Sequence, residues 1–338
     1  SSTIYSNNQN SSAYQSFSLN FVEPRLLDTP NLVGGSFFYT EQGQGQNNYL
    51  PFDVKKHGGS LRWGRRFQWP DYFFRGSWML RGSRNTYISN DESVLYDYFN
   101  RQDIIDQNGN IFSFSSSGVS LTQIITRDSR NHPEFPTNGS KSILTSTISG
   151  SFLGGNQDFH KHELDFNWFT PLHNKITISQ IFKFGSLDEI KGRDSEYSII
   201  PPGVRFIMGG TGIPQGEMLR GYKENKVGPH TNRGSSGGNV MLKYSLELRL
   251  LLSESPTIYT LSFFDMGNVW SEFDILDPFD LKRSAGVGIR VFIPMLGMLG
   301  YDIGYGFDST EYNENAAGNS GSVEPNGWEY HLIFGMPF

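Results

Sequence analysis

Few stretches of this chain carry residue types that could do chemistry. His160 and His162 stand two apart, on one face of any strand, where they could ligate a metal. A pair of imidazoles alone is an incomplete ligand set, and histidines at a sheet rim or interior read the same way. The run "GGTGIPQG" (Gly209–Gly216) has the glycines of a phosphate-cradling loop. Pro214 and the lack of a following helix speak against that reading. "TRDSR" (Thr126–Arg130) concentrates charge, but Pro133, Pro136 and Asn138–Gly139 beside it spell a turn. No serine, histidine and acid sit at matched positions for hydrolysis, and the chain is not read as an enzyme. What remains is "MLRGYKENKVGP", Met218 to Pro229, an arginine in a long glycine-rich loop. A guanidinium is a rigid fork of five donors whose natural partner is a carboxylate. The question is what holds such a carboxylate against Arg220.

The elements that could do so are strands. The 338 residues include 38 glycines, 14% aromatics and only 36% hydrophobic residues. So few apolar residues, so evenly spread, suit strands of which one face alone is apolar, as in a membrane β-barrel. A net charge of -6 disfavours a general nucleic-acid partner. There is no cysteine, hence no disulfide framework or thiolate site. No apolar run reaches the ~20 residues of a transmembrane helix; the densest, Leu248–Leu252, is interrupted by Arg249. No signal peptide opens the chain, and "STIYS" reads as the tail of a strand.

Alternation is strict over most of the chain. Ala285, Val287, Ile289, Val291 and Ile293 share one face, and Leu299, Tyr301, Ile303, Tyr305 and Phe307 share another. In the last segment Trp328, Tyr330, Leu332, Phe334, Met336 and Phe338 oppose Glu329, His331, Gly335 and Pro337. Thirteen full strands are predicted, at 13–23, 31–40, 55–67, 71–84, 110–127, 140–150, 158–170, 174–186, 239–252, 257–270, 283–294, 298–308 and 327–338, with no helix of any length. Short turns alternate with long polar loops at 42–53, 85–109 and 312–326; the longest loop, 187–236, contains Arg220. Glu247 falls opposite Leu246, Leu248 and Leu250, so it faces the interior with Arg249. Asp265 shares a face with Leu261 and Phe263, and its direction is not readable from alternation.

Several stretches in order resemble the BamA family of outer-membrane protein assembly factors. They are "TRDSRNHPEFPTNGS", Gly209–Gly210 followed by "LRGY" (Leu219, Arg220, Gly221, Tyr222), "VGP", "GGN", "YSLELRL", "FFDMGNVW" and "RSAGVGIRVFIPMLGMLGYDIGYGF", ending on Phe338. The resemblance implies an all-β, transmembrane antiparallel barrel of sixteen strands, of which these thirteen would be the last. The first strands and the periplasmic POTRA domains would precede this chain. It implies that the 187–236 loop is extracellular and folds into the lumen as a lock. Arg220 would be held there by Glu247 and Asp265, with Phe263 against the guanidinium and Tyr222 anchoring the tip.

The function so implied is folding and insertion of β-barrel proteins into the outer membrane through a seam between first and last strands. The terminal strand, with Gly335 and Pro337 weakening its pairing side, would be the gate. The partners implied are unfolded barrel clients, accessory lipoproteins, periplasmic chaperones and lipid, with no cofactor, nucleotide or metal. The alternatives are polypeptide translocation or secretion through the lumen, as in TamA or two-partner secretion transporters, and a passive porin.

Overall fold

The structure, a computed structural model, describes residues 3–4, 14–43, 51–99, 104–106, 111–190, 198–213, 216–231, 234–294, 296–310 and 324–335. Thirteen long strands follow one another: β1 (Tyr14–Glu23), β2 (Asn31–Gln42), β3 (Asp53–Arg66), β4 (Phe74–Ser89), β5 (Phe112–Asp128), β6 (Gly139–Ser149), β7 (Phe159–His173), β8 (Ile176–Glu189), β9 (Val240–Glu254), β10 (Thr257–Trp270), β11 (Lys282–Ile293), β12 (Gly297–Gly306) and β13 (Gly327–Gly335). Their order in the sheet is their order in the chain, with antiparallel pairing. Thr3–Ile4 pairs antiparallel with Ser16 and Gln15, the strand tail expected at the start. No helix among the described residues is long and apolar enough to cross a membrane, which says nothing of strands.

One expectation is corrected. Helix α1 (Glu92–Phe99) stands inside the segment read as a polar loop at 85–109, and β4 runs on to Ser89. Eight residues are too few for a sustained helical period, and so short a helix is marginal by propensity alone. Packing supplies the rest. Leu95 is fully buried against Phe52, Tyr87, Phe114 and Ile199, and Asp91 accepts the Ser93 N–H at 2.9 Å as an N-cap.

The chain falls into two compact units. One comprises 1–125, 145–161 and 188–204. In its β1–β4 sheet, Phe17, Leu19 and Phe21 lie in register with Tyr39, Phe37 and Gly35. Next come Trp63 opposite Trp78 and Leu61 opposite Leu80, the two indoles stacked at 4.8 Å. This apolar face is exposed: Leu19 keeps 62% of its surface and Phe37 70%.

The other unit comprises 126–144, 162–187 and 205–338. Along β9, Leu246, Leu248 and Leu250 are exposed while Ser245, Glu247 and Arg249 are buried. Along β13, Trp328, Tyr330, Leu332 and Phe334 are exposed and His331 is buried. The charged face is inside and the apolar face outside, the inverse of a water-soluble sheet and the arrangement a lipid solvent demands. Asp265 settles on the buried side with Tyr259, Leu261 and Phe263. Those apolar residues do not face outward; with Phe135 and Met298 they form a small core against the inner side of β10. Phe135 comes from the "TRDSR" turn, which the Asn131 carboxamide closes by accepting the Thr137 and Asn138 N–H groups at 3.0 and 3.1 Å.

The facing of β9 and β11 generates a test. Leu250→Arg or Ile289→Arg places a charge on an exposed apolar face and is expected to cost about 2–4 kcal/mol near mid-membrane. The readout is the yield of the heat-modifiable folded band after refolding into lipid vesicles. A wild-type yield for both variants would mean that these faces do not meet lipid.

Candidate functional site

The site is built by the loop between β8 and β9 and by the buried face of β9–β13. The loop folds on itself through glycines. Gly209 and Gly210 have φ of 130° and 60°, and short backbone bonds such as Gly209 N–H to Glu217 O (3.0 Å) and Leu219 N–H to Gly210 O (3.1 Å) cross it. This carries Leu219, Arg220 and Tyr222 to full or nearly full burial.

Arg220 uses its whole fork. Nε and Nη2 donate to the two Asp265 oxygens at 2.7 and 2.8 Å, a bidentate pair, and Nη2 also donates to Ser245 Oγ at 3.1 Å. Ser245 Oγ in turn donates to Asp265. Nη1 lies 2.8 Å from Glu247 Oε1 and 3.6 Å from Asp302 Oδ2. The Phe263 ring closes one face of the guanidinium, with its centroid 3.8 Å from Cζ. Burial alone would lower the pKa of Arg220, but Asp265 and Glu247 outweigh it and raise it. The guanidinium is permanently charged.

Each carboxylate is itself shared. Arg249 binds Glu247 Oε2 at 2.6–2.8 Å, and Arg290 grips both oxygens of Asp302 at 2.5 and 2.7 Å. Three residues before Arg220, the Glu217 carboxylate sits between Lys183 (3.0 Å) and Lys243 (2.8 Å), which are direct cross-strand partners of β8 and β9. Burial would push the Glu217 carboxyl up; Lys243 and Lys183 overcome it and hold it at about 2. A polar cavity of about 220 Å³ lies beside these groups, lined by Asp165, Lys183, Glu217, Lys243 and Arg249 among others.

The loop tip is seated by backbone contacts. Gly221 has φ 80°, and a Cβ there would fall 2.8 Å from the Ser284 Cβ. Gly304 and Gly306 on β12 leave the space: a Cβ on Gly306 would sit 2.4 Å from the Gly221 carbonyl. Ser284 Oγ donates to the Arg220 carbonyl at 2.5 Å, and Tyr222 Oη donates to the Arg283 carbonyl at 2.7 Å. The Gly221 N–H donates to His331 Nε2 at 2.9 Å, and Asn326 Nδ2 donates to the Gly221 carbonyl at 2.9 Å. His331 lies on β13 and Asn326 directly before it, so the tip is tied to the terminal strand.

The structure thus brings Leu219, Arg220, Gly221, Tyr222, Glu247, Phe263 and Asp265 together. Trp328, Tyr330, Leu332, Phe334 and Gly335 lie on β13; Met336, Pro337 and Phe338 lie outside the described residues. The carboxylates were expected from the two strands after the loop, and Asp302 on β12 adds a third. Asp302, Arg290 and His331 all have readable parity, opposite the apolar stripe, but nothing local says that they converge. Glu217 carries no signal, because a loop has no period. His160 and His162 belong to no group of three or more metal-binding side chains among the described residues.

The geometry can be set beside known proteins. Residues 4–325 match the Omp85 superfamily domain. Over 198 residues, 57% of the chain, it is 27% identical to the outer membrane protein assembly factor BamA of Nitratidesulfovibrio vulgaris, covering 23% of that protein. Over 132 residues, 38% of the chain, it is 30% identical to a SAM50-like protein of Schizosaccharomyces pombe, covering 26% of it. The chain spans about a quarter of the length of these curated relatives. The crystal structure of BamA from Haemophilus ducreyi lacking POTRA domains 1–3 aligns with a TM-score of 0.72 at 18% identity, over 95% of this chain and 62% of that one. CdiB from Acinetobacter baumannii aligns with a TM-score of 0.52 at 14% identity, over 96% and 50%. At such identities the likeness concerns the fold, which is that of an antiparallel transmembrane β-barrel.

Two substitutions test the seat. Arg220→Ala leaves Asp265, Glu247 and Asp302 buried around an empty centre and is expected to cost about 3–5 kcal/mol. It should lower the temperature at which the heat-modifiable band is lost, and an unchanged temperature would contradict the seat. Glu217→Gln should release the loop more gently, seen as faster proteolysis between β8 and β9. Because the folded pKa of Glu217 is depressed, its contribution is complete above the ordinary value of 4.5 and is lost as pH falls toward about 2. The difference in proteolysis between wild type and Glu217→Gln should therefore hold at neutral pH and close on acidification. A gap that widened in acid would refute the assignment.

Proposed function

The chain belongs to the Omp85 superfamily, and from that premise we propose that it serves the insertion or translocation of outer-membrane proteins, as an assembly factor for β-barrels. It is an integral outer-membrane protein of the Gram-negative type. The family match, the BamA relative and the barrel-type fold support the broad reading together. The finer reading is a lateral seam between the last strand and the first strand of the complete protein.

Physical chemistry says what such a protein must overcome. A client strand entering lipid unpaired leaves backbone N–H and C=O groups unsatisfied, at several kcal/mol each. A seam that parts lends its edge as a template, and the client's strand satisfies its ladder there before it leaves water. No bond is made or broken; the work is the lowering of a kinetic barrier. Unfolded barrel clients, accessory lipoproteins and periplasmic chaperones are the proposed partners, and the loop with Arg220 is the proposed lock of the lumen.

One observation carries the seam reading. β13 is the last strand in the sheet order, pairs with β12 from Gly306–Gly327 to Met298–Gly335, and presents an exposed stripe of Trp328, Tyr330, Leu332 and Phe334. Its other face holds His331, which receives the N–H of Gly221 beside the buried arginine. The state of the loop is therefore felt at the edge where a client would pair.

A cysteine pair across the seam of the complete protein tests this, since the chain here has no native cysteine. One cysteine replaces a β13 residue and the other its neighbour on the first strand. Oxidation is expected to block insertion of client barrels into vesicles, and reduction to restore it. A control pair at Val287 and Ile303, direct partners in β11 and β12, should crosslink without effect. Complete seam crosslinking with normal client insertion would remove lateral opening and favour passage of polypeptide through the lumen.

A further inference from the structure

The polar face of the β1–β4 sheet presents a second feature, separate from the arginine seat. The register places Lys56, Arg62 and Arg66 of β3 on the face opposite Leu61 and Trp63, with Arg75 and Arg81 of β4 beside them. Arg62, Arg66 and Arg75 are exposed. No acidic residue of β1–β4 shares this face: Glu23, Glu41 and Asp53 all have the opposite parity. The following stretch, residues 112–125, contains no acid at all.

Among the described residues, Lys56, Arg62, Arg66 and Arg81 have no carboxylate partner. Arg62 donates only to Ser77 Oγ, at 3.0 Å. Arg81 rests on the Phe38 ring, 4.1 Å from its centroid, and Phe38 lies over Gly58, where a Cβ would fall 2.8 Å from the ring. Arg66 stands directly opposite Arg75. Like charges in direct register disfavour a sheet, and Arg66 has no carboxylate of its own among the described residues to offset that. The seat of Arg220 shows the contrast, for there Lys183, Arg220, Lys243, Arg249 and Arg290 each have a carboxylate within 3.0 Å.

From this arrangement we infer that the polar face of β1–β4 is a docking surface for an extended acidic polypeptide segment. The cations do not converge on a point, as they would around a single phosphate. They follow a line along β3 from the half-buried Lys56 to the exposed Arg62 and Arg66, ten residues or about 33 Å of strand. Between them lie hydroxyls and carboxamides, Ser36, Ser60, Thr40 and Asn20, which can both donate to and accept from peptide groups. The apolar side chains that share this face, Val22, Leu32, Phe38 and Met79 among them, come from different strands and have the cations and hydroxyls set among them. A strand with carboxylates on alternate residues would meet the cations on one side and leave its backbone among the hydroxyls.

The test is fluorescence anisotropy of labelled peptides with the complete protein in detergent. The probe alternates Glu and Ser over about twelve residues, enough to span the row, and the comparison peptide has Gln for Glu. Binding of the acidic peptide, absent for the neutral one and weakened by salt, is expected. The double variant Arg62→Gln/Arg66→Gln should weaken it about tenfold, and Arg62→Lys/Arg66→Lys should largely restore it. Arg84→Gln, on the opposite face in register with His57, should change nothing. If the double variant fails to give the folded band, Arg81→Gln carries the same expectation in lesser degree. Equal binding of the neutral peptide, or wild-type binding by the glutamine variants, overturns the inference. So does displacement by inorganic phosphate at equal charge, which would make this a general anion surface. Displacement by phosphatidylglycerol but not phosphatidylcholine in mixed micelles would assign the face to lipid headgroups and overturn it too.

Discussion

A guanidinium that has lost its water is the constraint around which the second unit is arranged. Desolvating such an ion costs several kcal/mol even after relaxation, and only close, well-oriented acceptors offset that cost. Arg220 therefore needs carboxylates at fixed positions, and it has them from β9, β10 and β12. Each of those carboxylates brings its own debt of desolvation, met by Arg249 for Glu247 and by Arg290 for Asp302. The result is a network in which the placing of one charge depends on the register of several strands. Slipping any strand by one residue would turn its charge to the apolar side.

The same constraint explains the glycines. The loop must deliver an arginine against the sheet with its backbone almost touching, and β12 answers with Gly304 and Gly306 where side chains would collide with Gly221. A loop held by a single ion pair could swing. This one is held at Glu217, at Arg220, at the Tyr222 hydroxyl and at the Gly221 peptide, within six residues. Those fixings reach every strand from β8 to β13, so release of the loop and a change at the terminal strand share the same contacts. Acceptance by His331 Nε2 requires the neutral ring with its proton on Nδ1.

The polar faces of the two units solve their electrostatics differently. The face under Arg220 is dense, buried and closely balanced in charge, which suits a structure that must hold itself in one state. The face of β1–β4 is one-signed and exposed at Arg62, Arg66 and Arg75, with hydroxyls between its cations, which suits a surface that is completed by something else. Both lie opposite apolar faces of the same kind, so lipid contact sets one side of each strand and leaves the other side free to be used in either way.

Much of this was legible in the residues. Period-two alternation located all thirteen strands and the facing of β9, β11, β12 and β13, because lipid on one side makes the pattern unusually clean, and Pro133, Pro136 and Asn138–Gly139 marked the turn at 129–138. It placed Glu247 and Arg249 inward, and the resemblance carried by Leu219–Tyr222 singled out the arginine. Helix α1 was hidden, since a single fully buried leucine, Leu95, sets up no period in eight residues. The direction of Asp265 was ambiguous because its inward neighbours, Leu261 and Phe263, are apolar; only the packing of Phe135 and Arg220 on that side explains why they are inside. The partners of Arg220, the seat of Glu217 between two lysines and the link from Gly221 to His331 join residues up to 110 positions apart. Alternation says which side of a strand a group faces, through covalent geometry that is local. It cannot say which groups on that side meet, because that depends on the register of several strands and on the path of a loop with no period of its own.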